Sequence, residues 1–474
     1  MRAGPCVGAC ALALVTAIPL TKAEHTMTHT QPTAADLSAD IARVFALQTQ
    51  NQWKLKASTA DQRKARLAKL KSVVEAHTDA IIAAVLEDTR KPVGEIRVTE
   101  VLNVTANIQR NIDNLDAWMT PTEVPSSSNP DDRAQIVYEA RGVCLILGPW
   151  NFPLGLALGP VAAAVAAGNG CIVKLTDLCP ATARVAAKII AEAFDESEVA
   201  LFEGDVSVAS ALLELPFNHV FFTGSTRVGK IVMSAAAKHL ASVTLELGGK
   251  SPVIVDEGAD VAKVAAQLAA AKQFNGGQAC ISPDYVFVRE DQKAALVEGF
   301  KANVAANLYE DGQIRKDSIA QVVNSANFAR VKSLFDDAVA QGATVAAGGL
   351  LEANDLTIHP TMLTDVTPQM KILQEEIFAP IIPVMTYDSL DQAIGYIQAH
   401  DKPLALYVYS KDEANVARVL NETSSGGVTV NGVFSHYLEN NLPFGGVNAS
   451  GTGSYHGYFG FKAFSHERAV YMHA

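Results

Sequence analysis

The stretch "FNGGQAC", Phe274 to Cys280, sets a thiol behind two glycines, and Pro283 stops any helix soon afterwards. A cysteine on such a turn either offers a nucleophile to a substrate or fills space as a small apolar side chain. Three other places could share chemistry with it. "VTLELGGKSP" puts Glu246 at the end of an apolar run, before two glycines. A carboxylate that loses solvent there becomes a better base; one that reaches water is only a strand-end charge. "LILGPWNFPLG" holds Asn151 between Trp150 and Phe152 in a proline-bounded turn. Its amide suits a developing oxyanion, or merely forms the turn. "QEEIFAPIIPV" sets Glu376 before an apolar run, where it touches a polar ligand or ends a helix.

Two further patterns suit an anionic ligand. "VFFTGSTRVGK" reads as strand, turn and helix, with Gly224 and Gly229 bracketing the turn. Backbone N–H groups and a helix N-terminus could meet a phosphate there. The spacing departs from G-x-G-x-x-G, so an ordinary strand-to-helix turn reads equally well. In "CIVKLTD", Lys174 ends a strand-like run and Asp177 follows; the two could grip ribose hydroxyls or form a solvated charge pair.

Such residues need elements to hold them. Ala34 to Trp118 has apolar residues three and four apart with charges between, a helical pattern. "MTPTEVPSSSNPDD" breaks it as a loop or excursion. From "AQIVYEARGVCLILGPW" onward, strand-like runs alternate with helical ones: "GCIVKL", "HVFFTG", "VTLELG", "PVIVD", then "DYVFVRE", "IIPVMTY" and "LALYVYS". That alternation implies an α/β protein with mainly parallel sheets covered on both faces. "VAKVAAQLAAAKQF" is the helix that delivers the Cys280 turn.

The bulk numbers narrow the class. At 474 residues, with 49% apolar and 19% charged, the chain has room for two or three domains. A net charge of −12 and the lack of long basic runs argue against nucleic-acid or anionic-membrane partners. The six cysteines, at 6, 10, 144, 171, 179 and 280, form no CxxC pair and no zinc-ligand spacing. No metal is expected, and free thiols in a reducing compartment are. Residues 1–26 hold an apolar stretch, Val7 to Leu20, and a small residue at Ala23, which resembles a secretory signal. The alternative is an extension ahead of the start at Met27.

Together and in this order, "PWNFP", "IVKLTD", "FTGSTRVGK", "LELGGKSP", "GGQAC", "EEIFAP" and "PFGGVNASGTGSYHG" closely resemble the aldehyde dehydrogenase superfamily, from Ala34 to the C-terminus. "CISPDY", "KPLALYVYS", "NETSSGGVTVN" and "SYHG" look like its class 3 branch of fatty and aromatic aldehyde dehydrogenases. The resemblance implies Cys280 as nucleophile, Glu246 as general base and Asn151 as an oxyanion donor. It implies an NAD cofactor, with NADP possible, lying against Trp150, Lys174, Asp177, Gly224, Ser225, Thr226, Gly229, Glu376 and Phe378. Lys174 would reach the adenosine ribose, Ser225 the pyrophosphate and Glu376 the nicotinamide ribose. Asp177 stands where many relatives have Glu, and its charge opposes a 2′-phosphate, which favours NAD.

For the substrate, the resemblance points to a hydrophobic aldehyde, aromatic or medium-to-long aliphatic. Phe152, Ile281 and His456 would line its tunnel, and Leu154, Leu156 and Leu158 would form an apolar wall. The implied architecture is a Rossmann-like NAD(P)-binding domain (27–118 and 138–247), an α/β catalytic domain (248–434) and a small β oligomerisation element with the C-terminal segment (119–137 and 435–474). A cytoplasmic homodimer without membrane or nucleic-acid partners follows by the same analogy. A CoA-acylating relative fits less well, because it needs no base such as Glu246. A semialdehyde enzyme must pair a second carboxylate, which Ala279 and Ile281 cannot do. A non-catalytic homologue would have no use for Cys280, Glu246 and Asn151 together.

Overall fold

The computed structural model describes residues 34–474. The signal-like stretch, Cys6, Cys10 and Met27 lie outside the described residues. Helices fill the N-terminal part from Ala34 to Met119, interrupted by a π-helical segment, Arg97–Leu102. Their apolar faces join the main core through Leu67, Leu70, Val85, Ile108 and Leu115.

A first sheet carries five parallel strands: β1 (Val143–Leu147), β2 (Gly170–Lys174), β3 (Val199–Phe202), β4 (His219–Thr223) and β5 (Ser242–Glu246). Their order across the sheet is β3-β2-β1-β4-β5, and Gly451–Thr452 adds a short antiparallel strand beside β5. β1, β2 and β4 are buried along their whole length, as continuous apolar runs covered on both faces should be. The order reverses between β1 and β4. In open parallel sheets, ligands bind beyond the carboxyl ends of the strands at such a reversal.

A second sheet is built from β6 (Ser251–Val255), β7 (Pro283–Val288), β8 (Thr361–Thr364), β9 (Ile381–Thr386), β10 (Ala405–Tyr409) and β11 (Gly427–Val430). Its parallel order is β8-β9-β7-β6-β10-β11, with Thr344–Ala347 antiparallel on the β8 edge. β6 and β7 are neighbours joined by a crossover helix, Val261–Gln273. One apolar core takes in Ile146 and Phe221 of the first sheet and Val253 and Val286 of the second. A third, antiparallel sheet joins Thr122–Val124, Arg133–Ala140 and Ser465–Met472. The expected excursion after Trp118 therefore contributes the strand Thr122–Val124 on one side of Arg133–Ala140, and the C-terminal strand pairs on the other. The alternating pattern misses β3, β8 and β11, which are short.

Among the described residues, no helix is long and apolar enough to cross a membrane.

Candidate active site

Trp150, Asn151, Ser225, Glu246, Cys280, Glu376 and Phe378 converge where the carboxyl ends of the first sheet face the amino ends of the second. Glu246 is the last residue of β5, and Thr223, the last of β4, is its register partner. Trp150 and Asn151 follow β1, and Ser225 follows β4. From the other side come Cys280, ahead of β7, and Glu376, ahead of β9.

Backbone geometry presents the thiol. After the crossover helix, Asn275, Gly276 and Gly277 take φ of +48°, +57° and +70° in succession. A Cβ on Gly277 would lie 2.4 Å from the Ala379 carbonyl oxygen, so only glycine fits that crossing. Gln278 then ties the loop down: its Nε2 donates to the carbonyls of Asn275 and Gln321, and its Oε1 accepts from the Val323 N–H. Cys144, Cys171 and Cys179 are buried, whereas Cys280 is partly open.

Two cavities meet at Thr223, Glu246 and Cys280. One, of about 280 Å³, is lined by Trp150, Asn151, Ser225, Glu376 and Phe378 among others. The other, of about 250 Å³, is almost wholly apolar; Phe152, Leu156, Phe274, Ile281, Phe434 and Tyr455 contribute. A larger cavity of about 470 Å³ lies apart, beside Arg141 and His466, and contains none of these groups.

Burial sets the electrostatics. Both carboxyl oxygens of Glu246 are buried without a hydrogen-bond partner. Desolvation accordingly holds its pKa well above the usual carboxylate range. Cys280 is pushed up to about 12, by burial first and then by the negative charges of Glu376 and Glu246. The N–H groups of Cys280 and Ile281 oppose that rise. Glu376 is raised to about 7 by burial and then by Asp284. Asn151 donates its Nδ2 to the Gln278 carbonyl at 3.1 Å.

The polar cavity fits a dinucleotide carrying nicotinamide. Ser225 caps the helix Thr226–Ala237, accepting from the Val228 N–H, so a helix N-terminus opens onto the cavity. Gly248 lets the Glu376 carboxylate approach; a Cβ there would sit 2.4 Å from Oε2. Trp150 and Phe378 stand edge to face, their centroids 5.3 Å apart. The Glu376 loop is clamped by charge. Arg330 donates to the Glu376 and Ile377 carbonyls at 2.9 and 2.8 Å, and Lys250 bonds Asp284 and the Glu375 carbonyl.

Not every expected residue reaches a cavity. His456 does not line the tunnel. It is buried at φ +79°, stacked on Phe444 and beside Tyr437, and burial lowers its pKa to about 3; its neighbour Tyr455 faces the tunnel instead. Leu154 and Leu158 are fully buried in the core, so Leu156 alone of the three lines the wall. Thr226 and Gly229 do not line the polar cavity. The Thr226 hydroxyl donates to the Ala449 carbonyl, and Gly229 makes room for Leu247. Lys174 ends β2 and Asp177 follows it, both outside the two cavities; Lys174 is buried, and the charges of Asp177 and Asp205 resist the fall in its pKa that burial causes.

A polar ligand cradle beside a partly open thiol and a buried carboxyl, at a sheet reversal, fits the site of an oxidoreductase. Comparison with known proteins agrees with that class. The aldehyde dehydrogenase family model matches residues 17–470. AldX of Bacillus subtilis is 52% identical, over 92% of this chain and 98% of its own. A probable coniferyl aldehyde dehydrogenase of Caulobacter vibrioides is 41% identical, over 84% and 83%. Aldehyde dehydrogenase family 3 member A2 of Mus musculus is 39% identical, over 85% and 82%. The substrate-bound structure of Staphylococcus aureus AldH superposes with a TM-score of 0.88 at 36% identity, covering 92% of this chain and 94% of that one. The chain belongs to the aldehyde dehydrogenase family and is an NAD(P)-dependent oxidoreductase acting on aldehydes.

Proposed function

We propose that this enzyme oxidises hydrophobic aldehydes, aromatic or medium-to-long aliphatic, to carboxylic acids through Cys280. The observation that carries the reading is the apolar tunnel that ends on Cys280 with the unpartnered Glu246 carboxyl at its base. Ala279 and Ile281 flank the thiol and bring no charge to pair a second carboxylate. The coniferyl substrate named for the Caulobacter relative is aromatic, in keeping with such a tunnel.

In this reading the thiol and Glu246 are both protonated at rest. Once ionised, Glu246 is a strong base because burial raises its pKa, and it takes the Cys280 proton. The thiolate sulfur adds to the aldehyde carbon to give a thiohemiacetal. Asn151 Nδ2 and the Cys280 N–H suit the oxygen that gains charge. When bound, NAD(P) supplies the hydride acceptor. Loss of hydride from the thiohemiacetal carbon leaves a thioester on Cys280. Glu246 releases the proton it took from Cys280 to solvent and then takes a proton from water, whose oxygen attacks that thioester; the C–S bond breaks, the acid leaves, and Glu246 returns its proton to the sulfur.

Glu376 would hold the nicotinamide ribose and Ser225 the pyrophosphate, with Lys174 and Asp177 at the adenosine ribose. NAD is preferred, because Asp177 and Asp205 flank Lys174 and would meet a 2′-phosphate with like charge. We place the enzyme in the cytoplasm as a homodimer; free thiols at Cys144, Cys171, Cys179 and Cys280 suit a reducing setting.

The deciding experiment compares kcat/KM for benzaldehyde, octanal, acetaldehyde and succinic semialdehyde. Each buried CH₂ contributes about 0.8 kcal/mol, so octanal should exceed acetaldehyde by more than about tenfold. A best value for acetaldehyde or succinic semialdehyde would overturn the tunnel reading and leave the family assignment standing.

A further inference from the structure

The loop that carries Asn151 hangs on an ion pair that is set back from the reacting groups. Lys91 and Glu100 are both 0% exposed, and Lys91 Nζ lies 3.0 Å from Glu100 Oε1. Lys91 Nζ also donates to the Asn151 carbonyl at 2.9 Å and sits 4.2 Å from the centre of the Phe152 ring. The other Glu100 oxygen accepts the N–H groups of Leu154 at 3.1 Å and Gly155 at 2.8 Å. One pair thus holds Asn151, Phe152, Leu154 and Gly155. Glu100 reaches this point from the π-helical segment Arg97–Leu102, a wide turn of the kind found at functional sites.

A buried ion pair is a poor source of net stability, since apolar side chains of similar volume do as well or better. What this one adds is geometry. Asn275 Nδ2 is the second donor to the Asn151 carbonyl, at 2.9 Å, and it also bonds the Gln278 carbonyl at 3.0 Å. That same Gln278 carbonyl takes one N–H of the Asn151 amide. Lys91 fixes the backbone of Asn151 while Gln278 fixes its side chain, and the second amide N–H is left for a ligand.

We propose that Lys91, neutralised by Glu100, is a positioning residue that aims the Asn151 amide at the aldehyde oxygen and seats Phe152 in the tunnel wall. The inference rests on the oxyanion reading of Asn151 given above.

Lys91→Met alone would strand Glu100 without a partner, so the working variant is Lys91→Met/Glu100→Gln. Its melting temperature and its NADH binding, followed by nucleotide fluorescence, should stay close to wild type. KM for benzaldehyde should stay within about threefold while kcat falls about 10- to 100-fold, part of the 10²–10³ that a whole oxyanion donor contributes. Lys91→Gln/Glu100→Gln, which returns a neutral donor to the Asn151 carbonyl, should recover about fivefold or more of that loss. In an Asn151→Ala background the Lys91→Met/Glu100→Gln change should cost under about threefold more, because both act through one amide. Near-normal kcat in Asn151→Ala alone would overturn the oxyanion reading itself. A crippled Asn151→Ala beside a fully active Lys91→Met/Glu100→Gln, or losses that multiply when the three changes are combined, would overturn only the positioning role. Equal kcat in the Met and Gln versions would overturn it too, even if both melt early.

Discussion

Desolvation raises the pKa of both Cys280 and Glu246, and that coupling makes their variants informative. Cys280→Ala should abolish aldehyde-dependent NADH formation while NADH binding stays measurable by fluorescence; turnover above a few per cent of wild type would remove the nucleophile role. Glu246→Gln keeps the shape and removes the base, so the rate should fall roughly 10²–10⁴-fold. The same substitution has an opposite effect on stability. The unfolded chain releases the Glu246 proton in the ordinary carboxylate range, whereas the folded chain holds it to higher pH. Stability is therefore lost as pH rises above that range. Glu246→Gln should raise Tm relative to wild type at about pH 9 and leave it nearly unchanged at about pH 4; a constant difference would mean that the carboxyl is not held protonated. At this scale Cys280 and Glu246 stand out in sequence as candidates because each sits beside glycines, but their proposed roles come from the family resemblance and not from the local motif. Lys91 and Glu100 do not, since in "KPVGEIRVTE" they look like the charged face of an amphipathic helix, and only the fold reveals that both are buried.

Loops, more than strands, decide which residues reach the ligand. The five parallel strands of the first sheet are readable from their apolar runs, apart from short β3, and their carboxyl ends bring Trp150, Ser225 and Glu246 together. Side-chain direction at element ends is harder to read. Leu154, Leu156 and Leu158 share a type and a stretch of chain, yet only Leu156 faces the tunnel once Gly155 starts the helix Gly155–Ala167. His456 fails for a related reason: its left-handed backbone turns the ring inward and gives the tunnel to Tyr455. The β2 loop offers a direct test of cofactor choice. Asp177 is exposed next to buried Lys174, and Asp205 follows β3. Asp177→Asn should raise kcat/KM with NADP relative to NAD, because it removes a charge that opposes the 2′-phosphate. An unchanged ratio would show that Asp177 does not read the ribose.

At the scale of the whole molecule, the third sheet has no evident task within one chain. Its strand Ser465–Met472 pairs along its full length with Arg133–Ala140, and residues 466–469 are exposed. Tyr471 ties the preceding excursion to it through Ser126, Ser128 and Asp132. Proteins seldom leave a long edge strand bare; Glu467 and Arg468 place charge on this one, which discourages indiscriminate pairing and leaves room for a specific partner. A second copy of the chain is the partner we propose. Light scattering should then give twice the 50.2 kDa chain mass. Placing proline at both Arg468 and Ala469 removes two successive backbone donors, one of which faces the open edge, and should shift that mass towards the monomer. Turnover should survive the change, since none of the third sheet's strands lines either cavity. A monomeric wild type would overturn the interface. A monomeric variant that loses kcat, with Tm and NADH binding intact, would mean that the partner shapes the tunnel.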